Sequence, residues 1–416
     1  EMNFPENRIS DRLLVGDLSG GEKIKFQLLC EMLRRPTVLL LDEPSNDLDL
    51  QSVKWLEGFI RDSRIPIMFV SHDETLLEHC ANTIIHLEQL MRKRQPQHTM
   101  ARLTYPEYVR ARNERIIKQT QVPQKEKEEH EAKMERYRQV YQRVHHEQQK
   151  VSRQAPHEAK NLKDKMRSLK SMGRRFEKER DHLAKRPDFE ESIVVRFEDE
   201  IVIPQGKVVL DLQLATLKVG ERVLSRDVHL NIQGPEKVCI VGANGAGKTT
   251  LLRRVLEDLT HRGIHFGYMP QDYSEQMNPR ESAIEFLTIS GTRDENTTIR
   301  TYLGSMNFTA EEMYHPIVDL SGGQRAKLYF SKMILEKAEV LVLDEPTRNL
   351  SPLSGPEIRA ALQAFGGSVI AVSHDRKFLA EVFHRVLLLD EKGLRPLHAS
   401  EWTNESRSDI SQGFGG

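Results

Sequence analysis

The chain has 416 residues, which is too long for one ordinary core, since a single domain usually takes ~100 to 200 residues. Its 61 Lys and Arg nearly balance its 62 Asp and Glu, but residues 91–186 hold 27 basic and 13 acidic side chains, so this middle segment is net +14 and the rest is net −15. The three cysteines have no paired spacing and no apolar run approaches ~18 residues, which argues against disulfides, a zinc site and a membrane helix and favours a reducing cytoplasm.

An α/β pattern near the start of the chain returns near its end. Polar signatures open amphipathic helices, and apolar runs before acidic pairs read as parallel strands buried on both faces. The predicted elements are, in chain order, helix 22–33, strand 37–41, strand 67–70, helix 324–335, strand 339–343 and strand 369–372.

Three short motifs accompany these elements at one constant offset of 302 residues. The pairs are LSGGE at 18–22 and LSGGQ at 320–324, LDEP at 41–44 and 343–346, and VSHD at 70–73 and 372–375. Because unrelated motifs keep one spacing, the sequence contains an internal repeat.

The middle of the chain differs in texture from both repeats. Residues 105–186 are charged and poor in glycine, which predicts helix. Apolar residues recur there at spacings of three and four: Met134, Tyr137, Tyr141, Val144 and Val151, then Leu162, Met166, Leu169, Phe176 and Leu183. This rhythm predicts an antiparallel coiled-coil hairpin with its tip near residues 148–157 and a kink at Pro123.

The sequence GANGAGKT at 242–249 fits the phosphate-binding pattern G-x-x-x-x-G-K-S/T. It follows a strand-like run at 238–241 and opens a predicted helix at 250–256, which is the context that this motif requires. Backbone N–H groups converge on phosphates at such a helix N-terminus, Lys248 reaches the β and γ oxygens, and Thr249 offers its hydroxyl to Mg²⁺. The residues predicted to hold the nucleotide are Gly242, Asn244, Gly245, Ala246, Gly247, Lys248, Thr249 and Thr250.

Four further side chains are candidates for the chemistry. Asp344 ends a buried strand, where it can hold Mg²⁺, and Glu345 beside it can polarise an attacking water. His374 follows the next strand and is predicted to contact the γ-phosphate. Gln271 lies between the phosphate loop and the second LSGG, where it can reach Mg²⁺ or water; a loop glutamine without a role is the alternative. The predicted metal ligands are thus Thr249, Gln271 and Asp344.

Together, the phosphate loop, the downstream glutamine, LSGG, LDEP and SHD resemble the motif set of ATP-binding-cassette (ABC) ATPases. The resemblance implies two α/β P-loop nucleotide-binding domains, and in that family each ATP lies between the phosphate loop of one unit and the LSGG signature of the other. ATP on Lys248 would therefore be closed by Ser19, Gly20 and Gly21, which precede a helix whose dipole favours phosphate. The opposite site would take Asp42, Glu43, His72, Ser321, Gly322 and Gly323, with Glu43 and His72 in the catalytic roles of Glu345 and His374.

The sequence departs from the family pattern in three places. A phosphate loop for the first repeat would lie about sixty residues before Glu1, so we expect a fragment with weak ATPase activity and an incomplete opposite site. Val219 occupies the place of the aromatic residue that stacks on adenine. Asp49 corresponds to Ser351, so the segments after the two catalytic glutamates are not equivalent.

Two ABC units joined by a basic hairpin, without a predicted membrane span, resemble the ABC-F family of ribosome-associated ATPases. The resemblance implies a cytoplasmic monomer with intramolecular pairing of its two ATPase domains. Its hairpin would enter the tRNA exit side of the bacterial 70S ribosome, beside P-site tRNA and 23S rRNA, and reach toward the peptidyl-transferase centre. ATP would favour binding and hydrolysis would permit release. The stretch EPTRNLSP at 345–352 resembles the subset that protects ribosomes from lincosamides, pleuromutilins and streptogramins A.

The predicted division is 1–90 for the end of the first ABC domain, 91–190 for the hairpin, 191–400 for the second ABC domain and 401–416 for a polar tail. Basic residues near the hairpin tip are expected to contact RNA backbone collectively, and each alone is equally well a solvated charge. They are Arg143, Lys150, Arg153, Lys160, Lys163 and Arg167. His145 and His146 are interpreted as polar surface, since no carboxylate or cysteine completes a metal site.

Two other functions remain open at this stage. A DNA-repair or chromosome-structuring ATPase also carries a coiled coil, but it places one phosphate loop and one signature at opposite ends of a much longer coil. A soluble ATPase subunit of an ABC transporter would leave the basic hairpin unexplained.

Overall fold

The computed structural model describes residues 18, 20–46, 48–89, 95–150, 156–181, 197 and 201–398. The chain forms two compact units: residues 1–81 with 191–416, and residues 82–190. Within the first unit, we call residues 18–81 the front lobe and residues 201–398 the rear lobe. The four-part division made from the sequence remains a prediction.

The front lobe is a small α/β layer. Its elements are α1 (Gly20–Leu33), β1 (Leu39–Asp42), α2 (Leu50–Asp62), β2 (Ile67–Val70) and α3 (Glu74–Cys80). Strands β1 and β2 pair in parallel, and α2 and α3 bury apolar side chains against them. Leu56 and Leu76 are fully buried at the centre of this core.

The rear lobe combines an antiparallel strand pair with a six-stranded sheet in the order β12-β11-β7-β10-β9-β8, in which all but β12 run parallel. Its strands are β5 (Val208–Val219), β6 (Arg222–Gln233), β7 (Lys237–Val241), β8 (Phe266–Met269), β9 (Val340–Asp344), β10 (Ser368–Val372), β11 (Arg385–Asp390) and β12 (Gly393–Pro396). Its helices are α6 (Lys248–His261), α7 (Ala283–Leu287), α8 (Arg293–Ser305), α9 (Ala310–Tyr314), α10 (Gly322–Leu335), α11 (Gly355–Ala364) and α12 (Arg376–Val382).

Both faces of the rear sheet are covered, which is why its central strands are apolar along most of their length. Val238 and Ile240 of β7 belong to one core, together with α6 and the β5–β6 pair. Cys239 and Val241 of the same strand belong to the other core, together with α10 and α11. Alternate side chains of a strand point to opposite faces, so a continuous apolar run indicates burial on both.

Two rear-lobe helices begin two residues earlier than the sequence predicted. Helix α10 starts at Gly322 because Ser321 caps it: Ser321 Oγ accepts from the N–H of Gln324 at 3.3 Å, and Gln324 Oε1 accepts from the N–H of Ser321 at 2.9 Å. Helix α6 starts at Lys248, directly after Gly247 in a left-handed conformation. The LSGG glycines therefore lie inside the first turn of their helix instead of before it.

The second unit contains an antiparallel strand pair, β3 (Ile84–Gln89) with β4 (Gln95–Ala101), and two long helices, α4 (Tyr105–Lys150) and α5 (Pro156–Asp181). The sequence did not predict β4, which lies inside the segment assigned to the linker. Helix α4 continues through Pro123, and residues 151–155 of the predicted tip lie outside the described residues.

Helices α4 and α5 pack against each other through part of the predicted apolar series. Val144, Met166 and Leu169 are buried together. Tyr137 meets the ring of Phe176 edge-on at 5.9 Å, and a Cβ at position 173 would approach the Tyr137 hydroxyl to 2.5 Å. The glycine that interrupts the apolar series therefore makes room for a tyrosine.

Among the described residues, no helix is both long enough and apolar enough to cross a membrane.

Candidate nucleotide site

The loop between β7 and α6 lies at the carboxyl end of the rear sheet. Its backbone needs glycine at two positions, since Gly245 and Gly247 have φ of 79° and 101°, a region that other residues avoid. A Cβ at Gly242 would come within 2.6 Å of the Leu389 carbonyl oxygen. These three glycines let the loop curl around the N-terminus of α6, where backbone N–H groups and the helix dipole favour an anion.

Lys248 folds back across this loop. Its ammonium group donates to the carbonyl oxygens of Gly242 at 2.8 Å and Ala243 at 3.2 Å. Burial lowers the pKa of Lys248, while Glu345, Asp344 and Asp49 oppose the shift. A half-buried cation at a helix N-terminus is well placed to bind phosphate oxygens.

Thr249 connects the loop to the neighbouring end of β9. Its hydroxyl donates a 2.8 Å hydrogen bond to Oδ2 of Asp344, the last residue of that strand. Burial raises the pKa of Asp344, and the bond from Thr249 acts in the opposite direction. Two of the three predicted Mg²⁺ ligands are therefore in direct contact.

Glu345 occupies a strained backbone position at the centre of the site. Its φ is 49°, and its N–H donates to the Val372 carbonyl at 2.9 Å, which fixes it at the junction of β9 and β10. Burial raises the pKa of Glu345 to about 7, against the effect of Lys248. A carboxyl group with this pKa can take up a proton near neutral pH.

His374 lies beside Glu345. Its N–H donates to Glu345 Oε2 at 3.3 Å, and its Nε2 is 3.7 Å from Oε1, beyond hydrogen-bond range. Burial lowers the pKa of His374 to about 3, so the ring is neutral. Both ring nitrogens are buried without a hydrogen-bond partner among the described residues, which leaves them available to a ligand.

The front lobe repeats this arrangement. Glu43 also has a positive φ, 45°, and its N–H donates to the Val70 carbonyl at 3.0 Å. His72 places its N–H 3.2 Å from Glu43 Oε2 and its Nε2 3.3 Å from Oε1. Asp42 ends β1, as Asp344 ends β9.

Residues of both lobes line one cavity of about 460 Å³, a size that accommodates a nucleotide. The rear lobe contributes Val219, Arg222, Leu224, Asn244, Gly245, Gly247, Lys248, Thr249, Thr250, Gln271, Asp344, Glu345, Thr347, Arg348, Val372, His374 and Asp375. The front lobe contributes Glu43, Ser45, Asn46, Leu48, Val53, His72 and Asp73. Glu43 and His72, which the sequence assigned to the opposite site, are among the residues that line this cavity. Their catalytic role in the opposite site remains a prediction.

The signature residues stand elsewhere. Ser19 lies outside the described residues, Gly20 begins α1, and a Cβ at the buried Gly21 would overlap Ser52 Oγ. Gly20 and Gly21 are not among the residues found on the wall of the Lys248 cavity. Closure of that cavity by the front signature therefore stays a prediction.

The rear signature borders a second cavity of about 550 Å³. Gly322 lines it together with Thr249, Gln271 and Arg348. Ser321 caps α10, and a Cβ at Gly323 would lie 3.1 Å from the Asn349 carbonyl oxygen. Their assignment to the opposite nucleotide site remains a prediction.

Sequence reasoning missed the residues that surround the predicted adenine position. Val219 lies at the cavity, as expected, and the exposed Arg222 lies there too, because the two are cross-strand partners at the turn between β5 and β6. Leu48 and Val53 were also missed, since their role depends on the packing of the front lobe. Of these missed residues, Arg222 alone could have been found from a local sequence pattern, because Val-Gly-Glu-Arg at 219–222 is typical of a turn between two strands.

Asp49 and Ser351 are more alike than the sequence suggested. Each caps the turn that follows it: Asp49 accepts from the N–H of Ser52 at 2.9 Å, and Ser351 accepts from the N–H of Leu353 at 3.4 Å. The difference lies after the cap, where Pro352 starts a 3₁₀ turn before α11.

The site fits a nucleoside triphosphate with Mg²⁺. Loop N–H groups and Lys248 suit phosphates, and the buried, unpartnered ring nitrogens of His374 suit a polar group of a ligand. Thr249, Asp344 and Gln271 offer the oxygen ligands that Mg²⁺ prefers, and all three line the same cavity.

Comparisons with known proteins agree with this geometry. A family model described as ABC transporter matches residues 225–348, which include the phosphate loop, the second LSGG and Glu345. The chain is 31% identical over 389 residues to ribosome protection protein VmlR of Bacillus subtilis (strain 168), covering 91% of this chain and 69% of that protein. It is 27% identical over 408 residues to ABC transporter F family member 5 of Arabidopsis thaliana, covering 94% of this chain and 54% of that protein. The chain thus spans between half and about two thirds of these relatives' lengths.

One solved structure shares the fold over most of the chain. It is a chain in the crystal structure of the complex of archaeal ribosomal stalk protein aP1 and archaeal ribosome recycling factor aABCE1. The superposition covers 93% of this chain and 65% of that chain, with a TM-score of 0.55 and 17% sequence identity. At this identity the likeness shows the fold alone.

Proposed function

Since this chain belongs to the ABC-F family of ATP-binding cassette ATPases, we propose that it uses ATP binding and hydrolysis to time its stay on the bacterial ribosome and so protects translation from antibiotics. The observation that carries the proposal is the cavity shared by the two lobes, with Lys248 on one wall and Glu43 on the other. A triphosphate held there would contact both lobes, so its arrival and its cleavage would alter how they pair.

Binding would rest on the rear lobe. Lys248 would exchange its carbonyl partners for phosphate oxygens, and the N-terminus of α6 would hold the same phosphates through backbone N–H groups. Thr249, Asp344 and Gln271 would hold Mg²⁺, which supplies charge neutralisation at the phosphates when bound.

The hydrolytic step would use Glu345 as the group that orients and deprotonates water. Its partly buried carboxylate and its pKa of about 7 suit it to accept a proton at the pH of a cell. His374, neutral and with both ring nitrogens unpartnered, would orient the water or the γ-phosphate through a hydrogen bond. Both residues are held rigidly by the ends of β9 and β10.

Ribosome contact would come from the second unit. Its helices α4 and α5 would act as the antiparallel hairpin that enters the tRNA exit side, near 23S rRNA and P-site tRNA, which would place the protein in the cytoplasm. Residues 91–186, with a net charge of +14, suit an RNA backbone, and the described side chains of Arg143, Lys163 and Arg167 are exposed. The name of VmlR, a ribosome protection protein, supports the same role.

Co-sedimentation with bacterial 70S ribosomes tests this function. Glu345→Gln should pellet with ribosomes in ATP several times more than the unchanged protein, because ATP would be bound and not cleaved. Lys248→Ala should not respond to ATP. Glu391→Gln, an exposed turn residue of the same lobe, is the matched control and should behave as the unchanged protein. Pelleting of Glu345→Gln that is equal with and without ATP would contradict the proposal.

A charge reversal tests the hairpin separately. The triple variant R143E/K163E/R167E should lose ribosome binding while its ATPase rate stays unchanged, and the remaining binding should depend less steeply on salt. R280E/R293E/K392E makes the same change of charge at exposed positions of the rear lobe and should bind normally. Equal loss in both variants would point to general repulsion by rRNA.

A further inference from the structure

Two buried ion pairs cross from the front lobe to the rear lobe. Arg359 of α11 donates to both carboxylate oxygens of Glu74, at 2.7 and 3.3 Å. Arg376 of α12 donates to both carboxylate oxygens of Glu57 on α2. All four side chains are less than a tenth exposed, so these crossed ion pairs are part of the interior.

The crossed ion pairs are related by the internal repeat. At the constant offset of 302 residues, Glu57 corresponds to Arg359 and Glu74 corresponds to Arg376. Position 57 therefore contacts the equivalent of position 74, and position 74 contacts the equivalent of position 57, which is the reciprocal pattern of a two-fold interface. The charges, however, are opposite: both positions are acidic in the front lobe and both are basic in the rear lobe.

A third position also differs between the repeats, in the opposite sense. His79 of the front lobe lies with its Nδ1 3.3 Å from Glu57 Oε2, within that lobe. Its equivalent in the rear lobe is Glu381, which accepts a 2.6 Å hydrogen bond from Arg359. The supporting partner is thus an imidazole beside the acidic member and a carboxylate beside the basic member.

Additional contacts keep the same polarity. Lys377 of the rear lobe donates to Glu74 at 3.1 Å and to Glu78 of the front lobe. A Cβ at Gly355, the first residue of α11, would overlap Glu74 Oε1, so the glycine leaves the space that this carboxylate occupies. Every charge named here that crosses the boundary is acidic on the front side and basic on the rear side.

From this inversion we propose that the crossed ion pairs decide which lobes pair: a front lobe accepts a rear lobe and rejects a second front lobe, and a rear lobe rejects a second rear lobe. Two front lobes in the same geometry would bring Glu57 against Glu74, and two rear lobes would bring Arg359 against Arg376. A buried charge that faces a like charge, without its partner, is strongly unfavourable. Specificity of this kind requires an element that opposes the wrong partner as well as one that favours the right one.

Charge reversals in the full chain test the proposal. E57R/E74R and R359E/R376E each place like charges at both crossings, so each should lower the melting temperature by several degrees. The fourfold variant E57R/E74R/R359E/R376E restores opposite charges at both crossings and should recover part of that loss, because Lys377 and Glu381 keep their charges beside positions 74 and 359. K207E/E339K reverses an exposed pair within the rear lobe, 3.1 Å apart, and should leave the melting temperature unchanged.

Sedimentation velocity of the two double variants, alone and mixed, measures which lobes pair with each other. In a mixture, the basic front lobe of one chain fits the acidic rear lobe of the other, so a species of twice the chain mass should appear that neither variant forms alone. The proposal is overturned if the melting temperature of the fourfold variant is no higher than that of the less stable double variant. It is equally overturned if each double variant associates with itself as readily as with the other.

Discussion

The hydroxyl of Thr249 donates a 2.8 Å hydrogen bond to Oδ2 of Asp344 across 95 residues of sequence. The bond joins the first turn of α6 to the end of β9, the two elements that would share a bound Mg²⁺.

Removal of this hydroxyl should weaken metal-dependent binding of ATP. Thr249→Val keeps the shape of the side chain but offers no oxygen, so the affinity for a fluorescent ATP analogue should fall roughly tenfold or more in Mg²⁺, on the scale of one charge-assisted ligand. In EDTA the variant and the unchanged protein should bind alike. Thr249→Ser is the control, since it keeps the oxygen; a Thr249→Val defect of the same size in EDTA would argue against a metal role.

Glu345→Gln should separate binding from hydrolysis. A general base commonly contributes ~10² to 10⁴ in rate, so the single-turnover rate of ATP cleavage should fall by about that factor while ATP affinity stays within about twofold. The amide keeps the shape of the carboxylate, and its oxygen can still accept the N–H of His374. Phosphate release after rapid mixing measures the rate. Cleavage that proceeds at the normal rate would remove Glu345 from the proposed chemistry.

Asp73 should make stability depend on pH. Burial, reinforced by the nearby Asp375, raises the pKa of Asp73 from 3.8 to about 6. Between pH ~4 and ~6 the Asp73 carboxyl is therefore more often protonated in the folded state than in the unfolded state. The free energy of unfolding consequently falls as the pH rises through this range, and the full destabilisation by Asp73 applies above pH ~6. Asp73→Asn keeps the cap of α3 but carries no charge.

The gain in melting temperature from Asp73→Asn should accordingly be larger at pH 7.5 than at pH 4.5. Differential scanning fluorimetry at both pH values measures it. Asp49→Asn, a change at the cap of the neighbouring helix α2, provides the comparison. A gain in melting temperature that does not change with pH would show that the surroundings of Asp73 do not raise the pKa of its carboxyl group.

Arg222 should support the adenine ring in place of the missing aromatic residue. The planar guanidinium group can stack on a base, and Arg222 lines the nucleotide cavity beside Val219. Arg222→Ala should weaken ATP binding by about 1 kcal/mol, or roughly fivefold, and leave inorganic triphosphate binding unchanged. Arg222→Lys, which keeps the charge without the plane, is the control. Equal loss for ATP and triphosphate would indicate a contact with phosphate instead.

The predicted helices and strands of the two repeats were located correctly to within about two residues at most ends. The sequence failed where a cap decided the boundary, as at Ser321 and Gly247, because a cap depends on one hydrogen bond or one dihedral angle instead of on a periodic pattern. It also failed at β4, whose residues 95–101 are polar and carry no alternation that indicates a strand. Pairing with β3 alone makes this segment a strand.

The sequence by itself determined the phosphate loop, the repeat at an offset of 302 residues and the catalytic candidates that follow two strands. Each of these rests on short motifs of consecutive residues, and such motifs can be recognised without knowledge of the fold. Only the tertiary structure decided that Glu43 and His72 line the cavity of Lys248, and that Glu57 and Glu74 meet Arg376 and Arg359. These contacts join residues about 285 and 319 positions apart. No local sequence pattern specifies such a pairing, because it depends on how the two lobes pack. A charge that this packing removes from water must meet a charge of opposite sign on the other lobe.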